Sequence, residues 1–382
     1  MNPLHTPSAS AMPERLVRLV DYLAADPANP NLLEDVATVA FDAQHFALCD
    51  EMLARRETLG PLSPALLNLR GLSAMAQRRF DDALSLFESL RAAGSDPVVE
   101  YNMAYAKAML GRFEEAIALL ADPVLAAVSP AVALKLQSLH HLGRLADAIE
   151  LGKQHANDPG IGAEISGLLA TALFDAEDIE GARHYAAQAS GTADGITVRG
   201  LLALDGADTH EALDLFGHAL SLSPGNSRAR LGLGLSLLAQ EQFADAAEQI
   251  DLAAAAFETH AGSWVAAGWA HLLGGKLKEA RTRFEQAARA DRGFAEAPGG
   301  LAVVDVYEGK LDEAKRHAAI ALRLDRNCLS AAQALTLLST AAGDHAAAGA
   351  IRDTALHRTL GPNGRTIAAA LSRRAARMSR KP

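Results

Sequence analysis

An alanine returns along this chain at an almost constant spacing. Ala83, Ala116, Ala148, Ala182, Ala212, Ala246, Ala280, Ala314 and Ala348 are separated, by subtraction, by 33, 32, 34, 30, 34, 34, 34 and 34 residues. Cys49, 34 residues before Ala83, opens the series as a degenerate first unit. Most of these alanines close the same local pattern: an apolar helix, a short turn often holding glycine, and a bulky residue three places earlier. "HLLGGKLKEA", ending at Ala280, is one example. Such a period demands one supersecondary unit per repeat, each stacked on the next. A chain of 382 residues would usually divide into two or three compact domains. An array escapes that limit because each unit packs only on its neighbours.

The small residues follow from the stacking. Two antiparallel helices joined by a short turn cannot bury their apolar faces alone. At the closest crossings only Gly or Ala lets backbones approach, so Gly268, Ala280 and Ala287 mark contacts, while Leu277 and Phe284 fill the wider gaps. Hydrophobic residues make up 49% of the chain and aromatics only 5%, a balance that favours closely packed helices over a β-sandwich. Pro64, Pro97, Pro130 and Pro159 sit at or near predicted starts of first helices, where a missing N–H is harmless. Gly111, Gly143, Gly275, Gly309 and Gly343 are predicted left-handed residues between paired helices. The shortest interval contains "SGTADG", which predicts a bend or half-array boundary near 190–195.

In the unit at Gly268, Trp264, Gly268, Ala280, Phe284 and Ala287 match the small–large pattern of a known repeat, and Ala212, Phe216, Ala219 and Pro224 repeat its second half. On these residues the chain resembles the tetratricopeptide repeat family. Ala104 and Leu136 depart from it, standing where the family's first-helix glycine would be. The resemblance implies an all-α fold: a right-handed superhelix, or α-solenoid, of about ten antiparallel helix-pair repeats over residues 13–360. Residues 1–12 are expected to be disordered. Residues 361–382 are expected to form a basic capping helix and tail, with Ile367, Leu371 and Met378 covering the last unit. Helix almost alone, with no sheet, is the expected secondary structure.

Charge is uneven. From Thr354 onward there are seven basic residues and no acid; taking these from the formal net charge of −10 leaves −17 for the remainder. An acidic body argues against general nucleic-acid binding, which needs a basic stripe. The sequence shows no basic-then-apolar leader and no stretch long enough to span a bilayer, so a cytoplasmic location is expected. The two cysteines, Cys49 and Cys328, form no CxxC pair and read as small buried thiols.

Catalytic and metal motifs are weak. "GLGLSL" lies inside a repeat helix, and "GGKLKEA" lacks the remaining residues of a phosphate loop. His210, Asp214 and His218 share one helix face opposite Ala212, Phe216 and Ala219, but the two histidines are about 12 Å apart along the helix. No metal, cofactor or catalytic residue is therefore assigned. His140 is read as facing a groove and His141 as packing.

The resemblance implies function as a non-enzymatic protein-binding scaffold, adaptor or chaperone. It would capture a partner helix or peptide in a concave groove lined by first helices. The matching places hold Tyr101, Asn102, Tyr105, Gln137, His140, Glu164, Thr171, Phe174, Arg228, Trp269 and Val306, with Tyr307 beside the last. Arg373, Arg374 and Arg377 are candidates for electrostatic docking of an acidic partner. The alternative is a subunit of an enzyme complex, or an array hosting a convergent catalytic site. Self-association is left open.

Overall fold

The computed structural model describes residues 12–94, 96–125, 128–357, 359–360 and 365–366. Among these residues the chain forms 21 α-helices and one two-stranded hairpin. It divides into two compact units, Met1–Ala189 and Ser190–Pro382, parting at the start of "SGTADG".

In the first unit α1 (Glu14–Ala25) packs on α2 (Pro30–Asp42), which pairs with α3 (Phe46–Thr58). Four further pairs follow: α4 (Pro64–Ala76) with α5 (Phe80–Ala93), and α6 (Pro97–Met109) with α7 (Phe113–Leu119). The last two are α8 (Ser129–His141) with α9 (Leu145–His155), and α10 (Gly162–Asp175) with α11 (Ile179–Gln188). Proline opens α2, α4 and α6, and Asn29, Ser63 and Asp96 accept hydrogen bonds from the free amides there.

The second unit also holds five pairs. These are α12 (Ala193–Asp205) with α13 (Thr209–Leu222), α14 (Ser227–Ala239) with α15 (Phe243–Phe257), and α16 (Ala261–Leu273) with α17 (Leu277–Ala290). Then come α18 (Glu296–Tyr307) with α19 (Leu311–Leu324), and α20 (Leu329–Ala341) with α21 (His345–Leu356).

The alanine period is the period of these pairs. In every pair the second helix starts three residues before the register residue, from Phe46 and Cys49 to His345 and Ala348. Each register residue is buried. Five residues before each lies a left-handed residue that ends the turn. Gly111, Gly143, Gly275, Gly309 and Gly343 hold five of these places as expected, while Gln44, Arg78, Glu177, Ala207 and Glu241 hold the others with φ between 61° and 64°.

The core explains the glycines. The ring of Phe284 lies between two first helices, so a Cβ on Gly268 would stand 2.6 Å from it and a Cβ on Gly300 2.3 Å. Phe216 is held in the same way by Gly200 and Gly232, at 2.7 and 2.3 Å. In the unit where Leu136 replaces the glycine, the volumes are inverted. The second helix carries Gly152 at the place of Phe284, and a Cβ there would meet Leu169 at 3.0 Å and Leu136 at 3.2 Å. The large side chain sits on the first helix and the glycine on the second, so the division between helices is reversed.

After α21, Thr359 and Leu360 pair antiparallel with Thr366 and Arg365. This two-residue hairpin leaves the all-α class in place among the described residues. Arg365 and Thr366, within the stretch 361–382 expected to form a capping helix and tail, are extended. The rest of that expected cap (361–364 and 367–382, with Arg373, Arg374 and Arg377) and the N-terminal residues 1–11 lie outside the described residues.

Candidate functional site

In the first unit the first helices α6, α8 and α10 pack side by side. Tyr101 and Tyr105, one turn apart on α6, are half-buried against a cluster containing Ala104, Ala108 and Leu134, with Phe113 alongside. Burial raises the Tyr101 phenol above its ordinary range, and Tyr105 and Glu164 raise it further. The exposed carboxylate of Glu164, on α10, is thus within electrostatic reach of a tyrosine on α6.

Between them α8 presents Gln137, which is exposed, and His140, whose Nε2 lies 2.7 Å from Asp175 Oδ2 at the end of α10. His141 stacks on Phe113, with ring centroids 4.7 Å apart and planes 3° from parallel. Phe174 is half-buried, and the Thr171 hydroxyl donates to the Gly167 carbonyl at 3.1 Å. Asn102 departs from the groove reading: it is only 6% exposed, so it sits beneath the surface rather than on it. Its Nδ2 and the Oδ1 of Asn68 are buried without hydrogen-bond partners.

The candidates in the second unit are dispersed. Arg228 is half-buried near the start of α14. Trp269 on α16 packs edge-to-face on Phe284, with centroids 6.0 Å apart, and joins the cluster around that ring. Tyr307, at the end of α18, is 58% exposed. Val306 beside it is half-buried. The aromatic set is therefore densest on α6 to α10.

The histidines of the metal candidate, His210 and His218, are exposed on α13, as is Asp214. Among the described residues no group of three or more His, Cys, Asp or Glu is placed to hold a metal ion. Burial pushes the Cys49 thiol up to about 11, with Asp50 adding to it. Burial likewise pushes Cys328 up to about 12, with Glu296 adding to it. Neither thiol is a nucleophile at neutral pH. Among the described residues no helix is long and apolar enough to cross a membrane.

Spacing gives no sign of the charged ties between helices. Asp251 accepts from Arg283 at 2.7 and 2.9 Å and contacts His271 at 2.9 Å. Asp305, 1% exposed, contacts Arg281 and His317, each at 2.6 Å. These ties join elements 12 to 32 residues apart.

Comparison with known proteins agrees with this architecture. A tetratricopeptide repeat family matches residues 74–139 and 203–263, and a second one matches residues 50–97. No curated protein matches the sequence. Among solved structures, a monomeric mutant of IFIT1 with Gppp-AAAA is 14% identical with a TM-score of 0.53, covering 92% of this chain and 95% of that one. The human IFIT1 dimer with PPP-AAAA is 15% identical with a TM-score of 0.50, covering 90% and 92%. YrrB, described as a TPR protein with an unusual peptide-binding site, is 23% identical with a TM-score of 0.38, covering 50% and 96%. At 14% and 15% identity, the likeness to the two IFIT1 structures is one of fold alone.

Proposed function

From the premise that this chain belongs to the tetratricopeptide repeat family, we propose that it is a non-enzymatic adaptor or chaperone that captures a partner on the α6–α10 face of its first unit. Protein interaction is the role that such repeats support. The observation carrying the finer reading is the half-buried pair Tyr101 and Tyr105 with the Glu164 carboxylate in reach. Aromatic side chains with one wet end are effective anchors for a partner helix or extended segment. Glu164 makes no ion pair among the described residues and favours a basic side chain next to the partner's apolar anchor.

Affinity purification from native cells, followed by binding to the recovered partner, tests this. Tyr105→Ala is expected to weaken binding by about 2 kcal/mol or more, while costing less stability than the roughly 3–5 kcal/mol of a buried aromatic. Trp269→Ala is the contrast, since its ring packs on Phe284. Full affinity with a large stability loss for Tyr105→Ala would make the tyrosines core residues and reject the site. Turnover by the purified chain would favour the convergent-enzyme alternative.

A further inference from the structure

Two seams between a second helix and the first helix that follows it hold a charged side chain directly after the register residue. Asp50, after Cys49, accepts from Ser73 and Gln77 at 2.7 and 2.8 Å and pairs with Arg79, residues 23, 27 and 29 places later. Arg281, after Ala280, donates to Asp305 and Glu308 at 2.6 and 2.9 Å, 24 and 27 places later. Lys310, 29 places later, donates to the same Glu308 at 2.6 Å. In several other seams the place holds a large apolar residue, such as Leu84, Ile117 or Leu213.

Between α15 and α16 that place holds Ala247, and it lines a cavity of about 260 Å³. The residues 23, 24, 27 and 29 places later are Ala270, His271, Gly274 and Lys276, and all four line the cavity, with Phe243 and Ala244 completing the wall. The cavity is thus the counterpart of the Asp50 seam with the acid cut back to a methyl group and the Gln77 place to glycine. Its donors remain. Lys276 takes the place of Arg79 and makes no ion pair among the described residues. His271 is 7% exposed; its Nε2 lies 2.9 Å from Asp251, while its Nδ1 is buried without a hydrogen-bond partner. A buried nitrogen left unpaired is destabilising, so a partner for it is favoured.

The lining selects the occupant. It carries the Lys276 ammonium and the His271 ring but no carboxylate, and Phe243, Ala244, Ala247 and Ala270 make the rest largely apolar. At about 30 Å³ for each water-sized group, the volume takes roughly eight or nine heavy atoms. We propose that this cavity binds a free short-chain carboxylate, its oxygens held by Lys276 and by Nδ1–H of His271, its aliphatic stem against Phe243 and Ala247. The ligand supplies here the charge that Asp50 supplies in its own seam. His271 then donates from both nitrogens, to the ligand and to Asp251, and the Arg283 guanidinium that also donates to Asp251 balances the added negative charge.

Titration of the full chain with sodium butyrate, followed by nuclear magnetic resonance of the ligand and repeated with n-butanol, tests the proposal. Butyrate is expected to saturate one site and to bind about tenfold or more tightly than butanol, which has similar length and no charge. Ala247→Asp returns the carboxylate of Asp50 to this seam and is expected to abolish butyrate binding. Lys276→Met is expected to weaken it about tenfold with the helical fold intact. No saturable binding, equal affinity for butanol, or undiminished binding by either folded variant would overturn the assignment. N-acetylglutamate α-amide carries the same carboxylate on a peptide backbone and is expected to bind more weakly than butyrate. Tighter binding of that probe would give the cavity to an acidic side chain of a partner and overturn the free acid as its ligand.

Discussion

Half of the turns within pairs place a side chain where glycine is least strained. Ala207 has φ 62°, a left-handed conformation that costs an L-residue roughly 1–2 kcal/mol. Ala207→Gly is therefore expected to stabilise the second unit by about 1 kcal/mol in a denaturant melt, despite glycine's greater freedom when unfolded. No gain would show that the turn is already relaxed. The opposite sign is expected at the crossings. Gly300→Ala would drive a Cβ to 2.3 Å from the Phe284 ring, costing about 1–3 kcal/mol, whereas Gly217→Ala meets nothing within 4 Å and serves as the control. A Gly300→Ala protein as stable as the control would refute tight packing there. At this scale the sequence was legible wherever glycine marked a turn. Gln44, Arg78, Glu177 and Glu241 carry no such mark, because the helices on either side impose the conformation. Only their constant offset from the register residue could have revealed them. Leu136 read as a departure from the pattern because its compensation, Gly152, lies on another helix.

Between elements, the informative features are charged ties and caps with no local signature. Asp251 on α15 contacts His271 on α16 and Arg283 on α17, tying one pair to the next. Burial alone would raise its carboxyl pKa, but the hydrogen bonds from Arg283 and His271 outweigh that, and the net shift is downward. A carboxylate with a depressed folded pKa adds stability above its unfolded value of about 3.9, and that stability is lost as pH falls through the folded pKa. The second unit should thus lose stability below about pH 4, and Asp251→Asn should remove part of that acid dependence while lowering stability at neutral pH. Equal acid sensitivity in the two proteins, read by denaturant melts from pH 3 to 7, would rule out the tie as its source. Glu296 shows the same limit of legibility. Its carboxylate accepts from the Leu329 and Ser330 amides at 2.7 and 3.0 Å, capping a helix 33 residues away. The candidate site was legible in the same uneven way. The i, i+4 spacing of Tyr101 and Tyr105 placed them together on α6. That Glu164 reaches Tyr101, that Asp175 meets His140, and that Asn102 is sunk below the surface all depend on how successive first helices pack.

At the scale of the whole molecule, a linear array need not unfold as one body, because each pair gains stability only from itself and its neighbours. The two buried cysteines make this measurable, with Cys49 in the first compact unit and Cys328 in the second. With thiol pKa values pushed up to about 11 and about 12, both should resist alkylation at pH 8 in the native protein. Each should react only when its surroundings open. Labelling at increasing denaturant, with the two cysteines resolved by mass spectrometry, is expected to give two separate midpoints. Gly300→Ala sharpens the test, since Gly300 packs in the second unit and its neighbour Gly299 approaches the Cys328 sulfur. The substitution should move the Cys328 midpoint to lower denaturant and leave the Cys49 midpoint in place. If both midpoints moved together, the array would be unfolding as a single cooperative body, and the two units would be divisions of geometry without thermodynamic independence.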